Sequence, residues 1–195
     1  MEFQVGDAVL FKAIPRRQGK WWMKIFTKLQ SWFDGNASHV EYLISYNKFT
    51  KKARCLGALG DGTSIREYDL DRDYIAVKRL KGGVNQKKAL MMAMEYYTML
   101  KDHQATGYAF DGLADASINA LLDKITLGLW KKKNLLKDDM KDFCSELYAT
   151  ILYNVSGKHL SRKREKNIDT DVITPSDILK SKNMVFIKKF GDKIA

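Results

Sequence analysis

The sequence is poor in the residues that hold small secreted proteins or metal sites together. Its 195 residues include two cysteines, two prolines and three histidines. The two cysteines, Cys55 and Cys144, could form one disulfide at most, and in a lysine-rich chain without a signal-peptide pattern they indicate free thiols in a reducing compartment instead. No histidine or cysteine has a neighbour at metal-ligand spacing, so we expect neither a metal nor another cofactor.

Long apolar runs are also missing. No stretch approaches the roughly 20 residues that a membrane-spanning helix needs, which predicts a cytoplasmic protein, or one delivered to a virion or host cell if a phage encodes it. With two prolines and 13 glycines there is no composition for a long linker. A hydrophobic content of 45% therefore predicts one domain, residues 1–195, with its own core.

Positive charge is abundant. Lysine and arginine number 34 against 23 aspartates and glutamates, for a net charge of +11. Such an excess favours an anionic partner such as nucleic acid, a phospholipid surface, an acidic protein or a cell-wall polymer. The basic residues are spread along the whole chain without a nucleic-acid-binding motif, however, so a solvated basic surface is the simpler interpretation.

One stretch, running from Asp142 to Tyr148, carries a cysteine at the predicted start of an amphipathic helix. With Asp142 as N-cap, Cys144 falls in the first turn. The free backbone N–H groups and the helix dipole there stabilise a thiolate and, later, an oxyanion. The alternative, favoured by these residues alone, is that Cys144 is a small buried side chain.

A predicted strand at 37–46 carries a histidine and a carboxylate. Because side chains alternate along a strand, His39 and Glu41 share one face. These are the residue types that serve a cysteine nucleophile as general base and as the group that orients the base. His103 and His159 are alternative bases, but each lies at a predicted helix end without a carboxylate on the same strand face, and both are less favoured.

Two further motifs complete an ordered set: Gly6-Asp7 before an apolar strand, and Thr174-Pro175-Ser176-Asp177 opening a late helix. The order of these motifs with the histidine strand and the cysteine helix resembles the circularly permuted NlpC-type cysteine hydrolases of the papain-like superfamily. This group includes YiiX-type proteins and is related to the lecithin retinol acyltransferase-like enzymes. Permutation places the histidine before the cysteine, whereas papain-like enzymes have the reverse order.

The resemblance implies Cys144 as nucleophile and His39 as general base. In many relatives the third polar residue comes from the strand after the histidine strand, but residues 53–59 offer no carboxylate, amide or imidazole on the inner face. Glu41 is then the preferred third member. Residues two apart on a strand are separated by roughly 6.5 to 7 Å, so Glu41 must reach along the strand, and a Cys-His dyad is the alternative.

The implied fold is an α+β papain-like permuted fold, in which a small antiparallel curled sheet or barrel packs against helices that include the cysteine helix. Strands are predicted at 3–14, 37–46, 52–59, 63–69, 73–79 and 184–190, and helices at 20–33, 85–102, 112–128 and after Asp142 and Thr174. The helix at 85–102 is expected to bury Leu90, Met91, Met94, Tyr97 and Met99, with its methionines filling the core.

The implied activity is that of a cysteine amidase or peptidase, cleaving an amide or ester through an acyl-enzyme on Cys144. A peptide, a cell-wall peptide or an acyl compound would be the substrate. One alternative is an inactive relative that binds a partner through its basic surface. Another is a lipid-directed acyltransferase docking through Trp21-Trp22, but helix 20–33 is expected to pack on the sheet, so membrane contact is not favoured.

Overall fold

The computed structural model of the chain describes residues 2–12, 37–59, 62–71, 75–102, 144–160 and 173–192. The predicted helices at 20–33 and 112–128 lie outside these residues, as do Asp142 and His103. Within the described part of the chain, no helix combines the length and the apolar character that crossing a membrane requires.

Six antiparallel strands form one sheet in the order β4-β3-β2-β1-β5-β6. The strands are β1 (Ala8–Lys12), β2 (Ala37–Asn47), β3 (Lys52–Leu59), β4 (Gly62–Asp69), β5 (Ile75–Leu80) and β6 (Met184–Lys188). Together with the helices packed on it, this sheet confirms the predicted α+β class. The sheet is open, with β4 and β6 as the two edges of its described strands.

Three helices occur among the described residues: α1 (Gln86–Asp102), α2 (Cys144–Ser156) and α3 (Pro175–Lys180). The starts of α1 and α3 carry side-chain caps. The side chain of Asn85 accepts a hydrogen bond from the backbone N–H of Lys88 at 3.1 Å. Thr174 and Asp177 form a reciprocal capping box at the start of α3, with Pro175 at its first position.

The two faces of the sheet are both apolar. Helices α1, α2 and α3 pack on the face that carries Leu10, Tyr42 and Leu56. A second cluster on the opposite face includes Val9, Leu43, Cys55 and Val77. Because residues of β2 alternate between these faces, His39 and Glu41 share the second face with Leu43.

The predicted buried stripe of α1 was wrong. The buried apolar residues of this helix are Ala89, Ala93 and Leu100. The predicted Leu90, Met91, Met94 and Met99 are instead 38%, 62%, 37% and 45% exposed. Small side chains let the helix approach its neighbours closely, and these three methionines are directed outward, whereas Met92 is partly buried against the core. Of the predicted set, Tyr97 is partly buried against the core.

The Gly6-Asp7 motif forms a turn before β1, so that strand begins at Ala8 and not at Phe3. Gly6 has φ +92°, and a Cβ there would lie 2.9 Å from Val84, so the turn requires glycine. Asp7 accepts two hydrogen bonds from Arg79, at 2.7 and 2.8 Å. The Gly6 carbonyl accepts one from Tyr148 of α2 at 3.1 Å, which ties the turn to the cysteine helix.

Candidate active site

Cys144 is the first residue of α2. The next residue, Ser145, is fully buried and donates its hydroxyl hydrogen bond to the carbonyl of Ile173 at 2.8 Å. Ile173 directly precedes Thr174, which caps α3. This hydrogen bond therefore connects the first turn of α2 to the residue that precedes α3, and it helps to position Cys144 relative to the sheet.

The first part of β2 extends beyond its pairing with β3. The ladder between these strands begins with Tyr42 opposite Leu56, although β2 itself begins at Ala37. The strand residues before Tyr42 pair on the other side with β1, where His39 lies opposite Phe11. His39 therefore lies in the part of β2 that pairs with β1 and precedes the ladder to β3.

The pKa values of Cys144 and His39 are shifted in opposite directions, each by the presence of the other. Burial alone would raise the pKa of the Cys144 thiol, but the charge and hydrogen bond of His39 and the backbone N–H of Val40 lower it below its ordinary value. Burial alone would lower the pKa of His39, but Cys144 and then Glu41 raise it to about 9. The pair therefore favours a thiolate beside an imidazolium.

Glu41 contacts the other side of the imidazole. Its Oε1 lies 3.0 Å from Nε2 of His39, and the Glu41 side chain is completely buried. A carboxylate in this place holds the ring orientation and stabilises the imidazolium. The Glu41 side chain leans along β2 and contacts the imidazole directly. The structure thus brings Cys144, His39 and Glu41 together.

Two residues of β4 hold Glu41. The hydroxyl of Tyr68 donates to Oε1 at 2.7 Å, and Nη1 of Arg66 lies 3.3 Å from the same oxygen. Arg66 also donates to the carbonyl of Gly57 at 3.4 Å. The second carboxylate oxygen, Oε2, is buried and accepts no hydrogen bond from the part of the chain that the structure describes. The buried negative charge is thus offset at Oε1 by both the His39 imidazolium and the Arg66 guanidinium.

Gly57 of β3 makes room for the Glu41 side chain. A Cβ at this position would lie 2.5 Å from Cγ, 2.6 Å from Cδ and 2.7 Å from Oε1 of Glu41. These distances are well inside van der Waals contact. The carboxylate therefore crosses β3 at a position where only glycine leaves space, on its way to the two β4 side chains.

Phe11 packs between the histidine and the tyrosine. Its ring centroid lies 5.4 Å from that of His39 and 4.7 Å from that of Tyr68, both in tilted arrangements. The aromatic ring covers the two hydrogen-bonding groups on either side of Glu41. Such an apolar wall strengthens the charge interactions behind it because it lowers the local dielectric.

Cys55 and His159 lie in different surroundings. Cys55 is buried like Cys144, but burial and the negative charge of Glu41 raise its pKa well above its ordinary value. His159, the alternative base, stacks on Tyr153 at a centroid distance of 4.3 Å. The described residues contain no group of three or more His, Cys, Asp or Glu side chains placed to hold a metal ion.

A groove of about 600 Å³ lies at the β2–β3 hairpin, at the opposite end of β2 from His39. Its lining includes Phe3, Asn47 and Phe49, and it contains neither cysteine nor histidine. This groove therefore supplies neither a thiol nucleophile nor an imidazole base.

Three site residues escaped the sequence interpretation: Gly57, Arg66 and Tyr68. Arg66 and Tyr68 lie two apart in the predicted strand at 63–69, so the period of two would have placed them on one face. Their link to Glu41 depends on the strand order β4-β3-β2, which the sequence alone does not supply. The close approach at Gly57 depends on the same pairing.

Comparison with known proteins adds no relationship. No protein-family model matches the chain, and no curated protein matches it in sequence. The function is accordingly argued from the geometry of Cys144, His39 and Glu41.

Proposed function

We propose that the protein is a cysteine hydrolase, an amidase or peptidase of the permuted NlpC, papain-like kind, that forms an acyl-enzyme on Cys144. One observation carries the proposal: Cys144 begins a helix and pairs with a histidine whose Nε2 lies 3.0 Å from a buried carboxylate. A nucleophile, a base and a residue that orients the base are the three parts of such a site.

In the first half-reaction the Cys144 thiolate attacks the carbonyl carbon of an amide or ester. The carbonyl π electrons move to oxygen, and the backbone N–H of Cys144, at the N-terminus of α2, stabilises the oxyanion. When the carbon–nitrogen or carbon–oxygen bond breaks, the His39 imidazolium gives its proton to the leaving group. The thioester and a neutral imidazole remain.

In the second half-reaction His39 takes a proton from water. The resulting hydroxide attacks the thioester carbonyl, and collapse of the tetrahedral intermediate releases a carboxylic acid and the Cys144 thiolate. The imidazolium that forms is the state favoured by Glu41, since the negative charge of that carboxylate raises the pKa of His39. The free enzyme therefore returns to the ion pair from which it began.

The pairing also separates this site from a buried structural cysteine. Cys144 and Cys55 are 3% and 0% exposed, so burial does not distinguish them. Their partners do, because His39 lowers the pKa of Cys144 whereas Glu41 raises that of Cys55. A cysteine that served only to fill the core would need neither a histidine beside it nor a carboxylate that contacts that histidine.

The test uses p-nitrophenyl acetate, a small activated ester. Acid-quenched protein should carry one acetyl group on the peptide that contains Cys144, and p-nitrophenol release should continue beyond one equivalent as the thioester hydrolyses. The Cys144→Ala variant should lose both signals, while Cys55→Ala, the matched control, should keep them. Acetylation of other residues only, or equal turnover by Cys144→Ala, would refute the proposal.

A further inference from the structure

We infer that Tyr68 is a positioning residue of this site, which holds the Glu41 carboxylate against His39 through its hydroxyl group. The inference rests on the proposed cysteine hydrolase function. It concerns the side chain that makes the shortest described hydrogen bond to Glu41, at 2.7 Å.

The spacing of His39 and Glu41 creates the need for such a residue. Both side chains leave the same face of β2, and backbone positions two apart are roughly 6.5 to 7 Å from each other. The carboxylate meets Nε2 at 3.0 Å only because the side chain leans along the strand. A glutamate has three rotatable side-chain bonds and many possible conformations, so contacts from other residues must hold it in this one.

Tyr68 has the right chemistry to select it. Burial, and then the charge and hydrogen bond of Glu41, raise the pKa of Tyr68 far above its ordinary value, so the hydroxyl remains protonated and donates. The ring is itself fixed by Phe11 at a centroid distance of 4.7 Å. A rigid donor aimed at one oxygen defines a position better than a flexible one.

Arg66 contributes differently. Its Nη1 is 3.3 Å from Oε1 of Glu41 and 3.4 Å from the carbonyl of Gly57, so its donor is divided between two acceptors at longer distance. We assign Arg66 to compensating the buried negative charge and Tyr68 to fixing the direction of the carboxylate. Removing the Tyr68 hydroxyl should then let Glu41 turn away from His39 while the charge balance of the site persists.

The experiment is an NMR titration of His39 in protein labelled with ¹⁵N-histidine. The chain has three histidines, so His103→Gln and His159→Gln assign the signals. In the wild type we expect a pKa of about 9 and a low-field Nε2–H proton protected from exchange by Glu41. Tyr68→Phe should lower the pKa of His39 by about one unit, a roughly tenfold change in its protonation ratio, and abolish that protection.

Tyr46→Phe is the matched control, because Tyr46 packs on Phe3 on the same side of the sheet and should leave the His39 titration unchanged. In a Glu41→Gln background, Tyr68→Phe should cause no further shift, since its effect passes through the carboxylate. A merely structural tyrosine would instead lower the melting temperature without moving the His39 pKa. If Tyr68→Phe does not fold, Tyr68→Met, which also lacks the hydroxyl, replaces it.

The outcomes separate the two levels of the account. An unchanged or raised His39 pKa in folded Tyr68→Phe, with the wild-type value near 9, overturns the role of Tyr68 and leaves the hydrolase proposal standing. A wild-type His39 that titrates at its ordinary value and ignores Cys144→Ala overturns both.

Discussion

Replacing Gly57 with alanine tests whether the Glu41 side chain really crosses β3 at this point. Gly57 has no positive φ, and from the backbone alone alanine should stabilise the strand by roughly 0.5–1 kcal/mol, since glycine loses more conformational entropy on folding. The new Cβ would, however, lie 2.5–2.7 Å from three atoms of Glu41. We expect the clash to outweigh the entropic gain.

The magnitude follows from two losses. Relieving the overlap requires a movement of about 1 Å in a fully buried region, and overpacking of this kind costs about 1–3 kcal/mol. If Glu41 moves, its hydrogen bond to His39 is lost as well, at about 1.5–3 kcal/mol for a bond to a charged group. After the entropic gain, a net destabilisation of about 3 kcal/mol corresponds to a fall of roughly 6–12 °C in Tm.

The assay is urea denaturation of four proteins: wild type, Gly57→Ala, Glu41→Ala and the double variant. Glu41→Ala removes the atoms that the new methyl group would meet, so Gly57→Ala should change stability by less than about 1 kcal/mol in that background. A Gly57→Ala protein as stable as wild type would refute the reasoning. An equal loss in both backgrounds would refute it too, because the penalty would not come from Glu41.

Three other predictions concern the site and its support. The pH dependence of turnover should be bell-shaped. The rate should rise as Cys144 ionises, at a pH below its ordinary pKa, and fall near pH 9 as His39 loses its proton; a rate that keeps rising above pH 10 would contradict this. Arg79→Met should destabilise the fold by about 3 kcal/mol in urea titrations, because the buried Asp7 carboxylate would lose its ion pair and keep, among the described residues, only the hydrogen bond from the backbone N–H of Gln4; a loss below about 1 kcal/mol would count against this. Thr174→Ala should cost about 1–2 kcal/mol through the lost cap, and Thr174→Ser, which keeps the hydroxyl, should recover most of it.

Local patterns predicted much of the fold because they depend on near neighbours. The strand at 52–59 was predicted at the bounds that the structure gives to β3, and the cap of α3 followed from Thr174, Pro175 and Asp177. The inward face of α1 was predicted wrongly because its apolar residues surround the helix. Which of them face inward depends on how closely the sheet and α2 approach, and close approach favours Ala89 and Ala93 over methionine.

The site divides in the same way. The period of two placed His39 and Glu41 on one face of a strand, and the predicted helix start placed Cys144 at an N-terminus. Their contact with each other depends on where α2 packs against β2, which is a tertiary contact that no local pattern supplies. Tyr68 is likewise brought to Glu41 by the position of β4, across an intervening strand from β2, so no local pattern could have revealed it.

The most direct measurement of the central claim is the rate of iodoacetamide alkylation at Cys144 and at Cys55 across pH, with each cysteine identified by its peptide mass. Both thiols are buried, so each controls for the accessibility of the other. In the wild type Cys144 should react with an apparent pKa below its ordinary value and Cys55 with one above it. In His39→Ala, Cys144 should lose this advantage. Equal rates at the two cysteines, or a Cys144 profile that ignores His39, would contradict the account.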